Sequence, residues 1–557
     1  MTTADLPQDA IAIIGMSGRF PGAPDVQAFW DQLRAERSSI RPATASEQAN
    51  IGGSIDGAPF GVAMLDGADC FDNEFFGMSD QESVMTDPQH RLFLECVWQA
   101  IESAGYDPTA DNGTVALYAG SCFPTYLTRV LANRPDLVAE FGDLATVLAN
   151  DADALTALVA FKLNLQGPCL SVRSYSSSSL VAVHLACQSL LSREADLAVA
   201  GAAAVKFPQA TAYAGTSSPT GRCRPLDERA DGSVVGNAVA AVVLKRAEDA
   251  VRDGDHVHAL ILGTAVNTDG SRRAGLYAPG PHGKAAVVAE ALGVAGVAPD
   301  DIDFVETNAI GTRLGDQIEV AALAKVLRSR ERTVGPCLLG AVSANVGHLD
   351  AVAGVAGMIK TALMLEHREV IGQPEPIVPL AAARQAPGVV EVCAKSGPWH
   401  STRPIRAGVS SFGIAGVNAH AVLQEPPRRE IDDKGADHGA PVPIMLSART
   451  PRALIRSRAR LADWLGRHQD ARLADIAHTL DFGRADLPYR WATVAGGIAE
   501  LRSRLIDDST ATPADGPAPV VRSSGEPTDG AQVGGPSPGR RIPLPTYPFE
   551  PTRQWPE

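Results

Sequence analysis

Residues 167–181 read Gly-Pro-Cys-Leu-Ser-Val-Arg-Ser-Tyr-Ser-Ser-Ser-Ser-Leu-Val, a stretch that predicts a turn followed by a helix. Apolar residues continue after the serines to Leu191, so the helix is expected to begin at the serine run. Ser176 therefore lies at the sharp turn into the helix, where its own amide and the helix dipole would face a reacting carbonyl group. Its hydroxyl is a candidate nucleophile. A serine also needs a general base, which this stretch does not obviously supply.

Two other stretches carry side chains suited to hydrogen bonding and proton transfer. Residues 306–312 read Glu-Thr-Asn-Ala-Ile-Gly-Thr, and residues 341–348 read Ala-Val-Ser-Ala-Asn-Val-Gly-His. Asn308 can donate and accept hydrogen bonds but cannot carry a proton. His348 has an ordinary pKa that suits proton transfer at neutral pH. We therefore expect catalytic roles for Ser176, His348 and Asn308, with His348 as the acid–base group.

Each of these stretches resembles a motif of the type I polyketide ketosynthases, with one departure in each. The family has an acyl-accepting cysteine where this chain has Ser176. Its Glu-x-His-Gly-Thr-Gly-Thr loop has a catalytic histidine where this chain has Asn308, and a lysine stands where this chain has Ser343. The family's second catalytic histidine is kept as His348. The resemblance implies that this chain lacks side chains that assist the decarboxylation of a malonyl unit.

The resemblance also implies which residues line the pocket. The lysine that Ser343 replaces would pair with the carboxylate that matches Glu319. Ile310 replaces a threonine that binds the pantetheine arm in the family, while Thr312 keeps the second hydroxyl. Residues 411–420 read Ser-Phe-Gly-Ile-Ala-Gly-Val-Asn-Ala-His and are similar to the family's glycine-rich gating loop.

In that gating loop, the resemblance implies that the amide of Ile414 joins the amide of Ser176 as the oxyanion hole. Phe412 is expected to pack at the pocket wall. Tyr175, which departs from the family pattern next to the nucleophile, is expected in the same pocket.

Ser176 itself has two explanations. It is either natural, marking a dead or repurposed site, or an engineered Cys→Ser change that traps an acyl chain as a stable ester. The intact run from Ser177 to Leu180 favours the engineered variant, because a retired site has no reason to keep its surroundings.

Strand-like runs alternate with helical stretches, which indicates a layered α/β architecture. The ketosynthase resemblance covers residues 9–424 and implies a thiolase-type α-β-α-β-α fold of two similar halves, although no sequence repeat is visible. Residues 425–443 predict a linker, and residues 444–508 resemble the small α/β adaptor domain between ketosynthase and acyltransferase. Residues 509–540 form a low-complexity linker. Residues 541–557 resemble the tail that follows an acyltransferase and wraps back onto the ketosynthase.

Composition narrows the classes of function. The 557 residues are 45% apolar and 20% charged with a mean hydropathy of -0.02, typical of soluble globular proteins. A net charge of -15 argues against nucleic acid as a partner. The polar, acidic start and the lack of a long apolar run predict no secretion signal, no membrane contact and a cytoplasmic location. The eight cysteines are expected to be reduced thiols that hold neither a metal nor a bound cofactor.

These patterns predict an enzyme that accepts an acyl chain on residue 176 and cyclises it without decarboxylation, by aldol chemistry, lactonisation or both, with release of the product. Free-standing ketosynthase-like cyclases that form the γ-lactam-β-lactone of salinosporamide-type compounds are similar. The resemblance implies a homodimer and a substrate thioester on the phosphopantetheine arm of an acyl or peptidyl carrier protein. Two alternatives stay open: a decarboxylating, chain-elongating ketosynthase, and a non-catalytic partner like a chain-length factor. Asn308 and Ser343 count against the first, and the retained His348 counts against the second.

Overall fold

The computed structural model describes residues 6–45, 47–48, 60–206, 216–328, 335–427, 441–507 and 539–556. Most of the linker predicted at 425–443 and of the low-complexity segment predicted at 509–540 lies outside the described residues.

A mixed sheet of eleven strands forms the centre of the molecule. In chain order the strands are β1 Ile11–Arg19, β2 Val115–Ser121, β3 Cys169–Ser171, β4 Leu197–Ala204, β5 Ala238–Arg246, β6 Ala259–Thr268, β7 Phe304–Glu306, β8 Cys337–Gly340, β9 Val390–Val392, β10 Arg406–Phe412 and β11 Val417–Gln424. Their order across the sheet is β9-β8-β7-β10-β11-β6-β1-β5-β4-β2-β3.

The sheet contains the same five-strand arrangement twice. In the first half, β3, β2 and β4 are parallel neighbours, and β5 and then β1 follow, each antiparallel to the strand before it. The second half repeats this order and these directions with β8, β7, β10, β11 and β6. An antiparallel pairing of β1 with β6 joins the two halves. The repeat that is invisible in the sequence is therefore present in the topology.

Seven longer helices cover the sheet: α1 Val26–Arg34, α2 Pro88–Ser103, α3 Ala154–Leu163, α4 Ser178–Leu191, α5 Pro281–Ala295, α6 Arg313–Val326 and α7 Ala353–His367. Helices α4 and α7 contact each other and strands of both half-sheets, so they form the middle layer. Helices α2 and α3 pack on the first half-sheet, and α5, with α6 against it, packs on the second. The layers therefore follow the order α-β-α-β-α. Strands β4 and β5 are buried along almost their whole length because helices cover both of their faces.

Shorter elements complete the body. They are the strands Arg41–Pro42, Gly61–Val62, Cys70–Phe71, Glu369–Val370, Gly397–Pro398 and Thr552–Arg553, the helices Asp80–Met85, Thr125–Arg129, Pro135–Phe141, Asp143–Asn150, Ala247–Arg252, Ser343–Val346 and Ala381–Arg384, and the 3-10 turns Leu131–Asn133, Tyr175–Ser177, Pro299–Asp301 and Asp350–Val352.

A small α/β unit follows the body. Strands β12 Val442–Ala448 and β13 Tyr489–Ala495 pair antiparallel, and helices α8 Pro451–Arg467, α9 Leu473–Phe482 and α10 Ile498–Asp507 pack on them.

Residues 539–556 lie against both the body and this unit. The amide of Tyr547 donates to Glu102 Oε2 at 2.6 Å, and the rings of Tyr547 and Phe549 pack on Phe75. The Arg484 guanidinium donates to two carbonyl oxygens of the tail. Polar and aromatic contacts thus hold the tail in place.

Within the described residues, no single helix is both long enough and apolar enough to cross a membrane. By length and composition alone, only the pair Asp143–Asn150 and Ala154–Leu163 passes such a test together, with a bend of 87° between them.

Candidate active site

The turn that carries Ser176 is held by its own serines. Tyr175 has a φ of 58°, in the left-handed region that side chains rarely adopt, and such a strained residue requires support from its surroundings. The Ser178 hydroxyl donates to the carbonyl of Tyr175 at 2.6 Å, and the Ser177 hydroxyl donates to the carbonyl of Ser174 at 2.8 Å. These serines therefore have structural tasks whatever residue stands at 176. The intact serine run is therefore expected of a natural site as well as of an engineered one.

The candidate base for Ser176 lies on another element. Its Oγ lies 3.0 Å from Nε2 of His348, a residue 172 positions further along the chain. Burial lowers the pKa of His348 to about 4, with Asp350 raising it and Lys206 lowering it. The ring is therefore neutral at neutral pH, and Nε2 can accept the hydroxyl proton if Nδ1 carries the ring proton. Sequence spacing could not indicate this contact because the two residues come from different halves of the sheet.

Hydrogen bonds hold the backbone of His348 in place. Its amide donates to the carbonyl of Val234 at 2.7 Å, and its carbonyl accepts from the amide of Gly236 at 2.9 Å. Gly347, with a φ of 71°, precedes it, and a side chain there would approach the Val234 carbonyl to 2.8 Å. The segment before β5 thus sets the position of the base.

Asn237 also helps to hold the surroundings of His348 in place, a role that the sequence does not indicate. Its Oδ1 accepts from the amide of Lys206 at 3.1 Å. The buried ammonium of Lys206 in turn lies 2.6 Å from Asp350. Burial raises the pKa of Asp350, but Lys206 and His348 outweigh that effect, so the pKa lies below the usual range. Asn237 therefore helps to place the ion pair that faces His348.

Asn308 and Ser343 share a small cavity with His348. The cavity measures about 20 Å³, roughly the space of one water molecule. Ser343 Oγ donates to the carbonyl of Ala309 at 2.6 Å, so its hydroxyl is used by the backbone. Asn308 Oδ1 and His348 Nδ1 are buried and have no hydrogen-bond partner in the part of the chain that the structure describes.

Two buried carboxylates stand behind this cavity. Glu306 accepts from the amide of Val342 at 2.5 Å and is paired with Lys360 at 2.8 Å. Glu319 Oε1 accepts from the amide of Asn308 at 2.8 Å. Burial raises the pKa of Glu319, and the charge of Lys284 counteracts part of this effect. The resemblance implies that Glu319 would pair with a lysine at position 343. In this chain the charge that acts on Glu319 instead comes from Lys284 of α5.

The glycine-rich loop after β10 lies over the nucleophile turn. Ser411 Oγ donates to the carbonyl of Ser176 at 2.7 Å, and Phe412 next to it is buried. A side chain at Gly413 would lie 2.2 Å from the carbonyl oxygen of Ser174, so only glycine fits. The amide of Ile414 donates to no group among the described residues, as an oxyanion donor requires.

A larger cavity of about 370 Å³ opens on the other side of the turn. Its lining includes Tyr175, Arg173 and Phe123, and the rings of Tyr175 and Phe123 are 6.3 Å apart. Thr312, expected in the pocket, instead stands at the start of α6 and lines neither this cavity nor the smaller one. Its expected contact with a pantetheine arm stays a prediction.

One cluster in the described chain has the side chains of a metal site. Ligand atoms of His256, His258 and Glu366 lie within 4.8 Å of one another. The sequence did not indicate this group because Glu366 comes from the distant helix α7. His256 Nε2 and His258 Nδ1 each lie within 2.8 Å of a different oxygen of Glu366, so a pair of hydrogen bonds accounts for the cluster. All eight cysteines are free thiols.

Comparison with known proteins agrees with this geometry. Residues 8–250 match the family model described as beta-ketoacyl synthase, N-terminal domain, and residues 258–375 match its C-terminal domain. Residues 445–510 match a model described as RhiE-like, KS-MAT linker domain. A phenolphthiocerol/phthiocerol polyketide synthase from Mycobacterium tuberculosis is 42% identical over 496 residues, which is 85% of this chain and 33% of that protein. The chain thus spans about a third of the length of this relative.

Solved structures are similar over the whole chain. The ketosynthase from module 1 of the bacillaene synthase of Bacillus amyloliquefaciens FZB42 is 32% identical, with a TM-score of 0.85 over 99% of this chain and 100% of that one. A cysteine-to-serine mutant of the ketosynthase from module 6 of the bacillaene synthase of Bacillus subtilis 168 is 30% identical, with a TM-score of 0.83 over 98% and 100%. The layered α/β fold that the motifs implied is confirmed.

Proposed function

The chain belongs to the beta-ketoacyl synthase family of the polyketide synthases, and from this membership we propose that it is a ketosynthase-type acyltransferase and cyclase. It takes an acyl chain from a carrier-bound thioester onto residue 176. It then closes a ring within that chain by an aldol reaction, a lactonisation or both, without decarboxylating a malonyl unit.

The contact between Ser176 and His348 carries this proposal. As Ser176 Oγ attacks the thioester carbonyl carbon, His348 Nε2 takes the hydroxyl proton and then passes it to the departing pantetheine thiolate. An ester on Ser176 and a free thiol result, and the imidazole is neutral again. The amides of Ser176 and Ile414 would hold the oxyanion of the tetrahedral intermediate.

Ring closure would use the same base a second time. His348 removes a proton next to a carbonyl group of the bound chain, and the enolate carbon attacks a second carbonyl of that chain. The new alkoxide attacks the ester carbonyl and displaces Ser176 Oγ, which takes the proton back from His348. The product leaves as a lactone, and every proton and electron pair is accounted for.

The substitutions around the small cavity support a reaction without decarboxylation. Asn308 cannot shuttle a proton, and the Ser343 hydroxyl is occupied by a backbone carbonyl. Neither can transfer a proton as a histidine does or supply the positive charge of a lysine when carbon dioxide leaves.

An elongating ketosynthase is the second candidate. The similarity to ketosynthases of modular synthases favours it. The buried ion pair of Lys360 and Glu306 also keeps a cation near the site.

Intact-protein mass spectrometry with candidate acyl thioesters tests the proposal. Ser176→Cys should take up the acyl group faster than the parent by orders of magnitude, because a thiolate at a helix N-terminus is available at neutral pH and an alkoxide is not. Release of a cyclised product supports the cyclase. Rapid carbon dioxide release from malonyl-carrier protein would identify an elongating enzyme, and no adduct on any folded form would favour a non-catalytic partner.

The substrate would arrive on the phosphopantetheine arm of an acyl or peptidyl carrier protein, and the chain itself needs no bound cofactor for these steps. We also propose a homodimer formed at the edge of β3 that pairs with no other strand among the described residues. Leu170 at the middle of this strand is 54% exposed, and Phe161 on α3 is 80% exposed. An unpaired edge with apolar side chains beside it would otherwise invite aggregation.

A further inference from the structure

We infer that Lys284 is a positioning residue of the acyl-transfer site, and that it supplies from α5 the positive charge that the family has at position 343. It acts through Phe412 of the gating loop and through the carboxyl group of Glu319. This inference rests on the proposed acyl transfer at residue 176.

Helix geometry directs the Lys284 side chain inward. Lys284 shares a buried face of α5 with Val287, Val288 and Ala291, which follow it at spacings of three, four and seven. The residue is 7% exposed. A charged residue at a core-facing position of an otherwise apolar helix is the sequence signal that could have identified it.

The ammonium group lies on the face of the gating phenylalanine. Lys284 Nζ is 3.6 Å from the centroid of the Phe412 ring, a distance at which a buried cation and a ring attract each other strongly. The residue before Phe412 is Ser411, which donates to the carbonyl of Ser176. A shift of the Phe412 ring would therefore also move Ser411 and, through its hydrogen bond, the turn that carries Ser176.

The charge of Lys284 also acts on the loop that carries Asn308. The acidic groups that face it are Asp269, after β6, and Asp316 and Glu319 on α6. Burial lowers the pKa of Lys284 and raises the pKa of Glu319, and each charge opposes the shift of the other. Because Glu319 accepts from the amide of Asn308 at 2.8 Å, its protonation state bears on the wall of the small cavity.

A lysine with a purely structural role would form a direct ion pair with a carboxylate. Lys360, the other buried lysine of this region, is 2.8 Å from Glu306. No direct ion pair of Lys284 occurs in the described ranges of the chain, so its burial is only partly compensated. Such costly charges are typical of functional sites.

The kinetic test compares Lys284→Met, Lys284→Arg and the exposed control Lys325→Met, each in the full chain with Ser176→Cys. Lys284→Met should slow acylation by roughly 10- to 30-fold, because the attraction to the Phe412 ring is lost. It should also move the midpoint of the Glu319 carboxyl titration, followed by its infrared band, upward, because the charge that lowers the pKa of Glu319 is gone. Lys284→Arg should restore most of the rate and the midpoint. A Lys284→Met variant with the rate and Glu319 titration of Lys325→Met would overturn the inference.

A second measurement does not depend on catalysis. The folded-state pKa of Lys284 lies below its unfolded value, so its burial lowers stability fully at neutral pH and less as the pH rises toward the unfolded value of about 10.4. Denaturant unfolding should therefore show a gain for Lys284→Met over Lys325→Met at neutral pH that shrinks at about pH 10. An equal difference at both pH values would show that Lys284 holds no buried charge. If even Lys325→Met takes no acyl group, the proposed function fails while this comparison still decides the state of Lys284.

Discussion

Among the individual residues, the proposed reactivity of Ser176 rests on one imidazole at 3.0 Å. His348→Ala in the parent chain should abolish acylation, because the hydroxyl then has no base. In the Ser176→Cys chain the same change should leave acylation largely intact and stop turnover, because the helix field already favours the thiolate whereas ring closure needs a base. The acyl mass shift and the product yield measure the two effects. Acylation of the serine form without His348 would show that the base lies elsewhere.

The pKa of His348 predicts an unusual dependence on pH. Burial lowers this pKa to about 4, so acyl transfer by the parent should stay level in mildly acidic buffer and fall only as the pH drops through that value. Below it the protonated Nε2 can no longer accept the hydroxyl proton. Single-turnover rates measured alongside circular dichroism would separate this loss from unfolding. A midpoint near the ordinary histidine value of about 6.5 would contradict the buried, neutral ring.

Single-residue roles could be predicted from the sequence where a motif carries them. The motif around Ser176 and the histidine at 348 predicted a nucleophile and a base, and the structure places these two side chains in contact. Lys284 and Asn237 were not predicted, because each contacts a residue from another element. Distances across elements are not contained in local spacing.

Among the elements, the gating loop after β10 has the tightest requirement. Gly413→Ala would place a carbon 2.2 Å from the carbonyl oxygen of Ser174, so the loop must move away from the nucleophile turn. We expect a loss of roughly 100-fold in acylation, the scale of a misplacement of about 1 Å, and a lower melting temperature. Gly497→Ala is the matched control, because nothing lies within 4 Å of a side chain there. Parent-like acylation by Gly413→Ala would show that the loop does not set the site.

The first strand shows why some elements escape prediction. Its glycines predict a strand that ends at Gly15 and a turn over residues 17–22, yet β1 continues to Arg19. Gly15 and Gly18 are close-approach positions: a side chain at Gly15 would lie 2.6 Å from the carbonyl of Ala100. Glycine that makes room for a packed helix has the same appearance in a sequence as glycine that ends a strand.

For the whole molecule, the exposed edge of β3 predicts a dimer. Leu170→Lys should give a monomer in sedimentation, because a charge at the middle of an edge strand opposes pairing. Val294→Lys, at an exposed apolar position on α5, is the control and should leave the dimer intact. A parent chain that sediments as an active monomer would refute the proposed assembly.

The layered fold and its two similar halves were both predicted from the family resemblance of the motifs, whereas no repeat in the sequence itself indicates the duplication. The two halves share strand order and strand direction, but different side chains fill equivalent places. Pairing and direction are properties of the backbone, so sequences can diverge while the topology is kept.

The short seam between the halves also constrains how such chains can be recombined. β1 and β6 pair over only three residues each, Ile11–Ile13 and Ala259–Ile261, and one covalent connection runs from β5 to β6. Ser176 belongs to the first half, whereas His348 belongs to the second. A crossover between two related genes at this connection would therefore join the nucleophile of one parent to the base of the other. Such chimeras would react only where the two parents place these side chains at matching positions, so that the 3.0 Å contact between them forms.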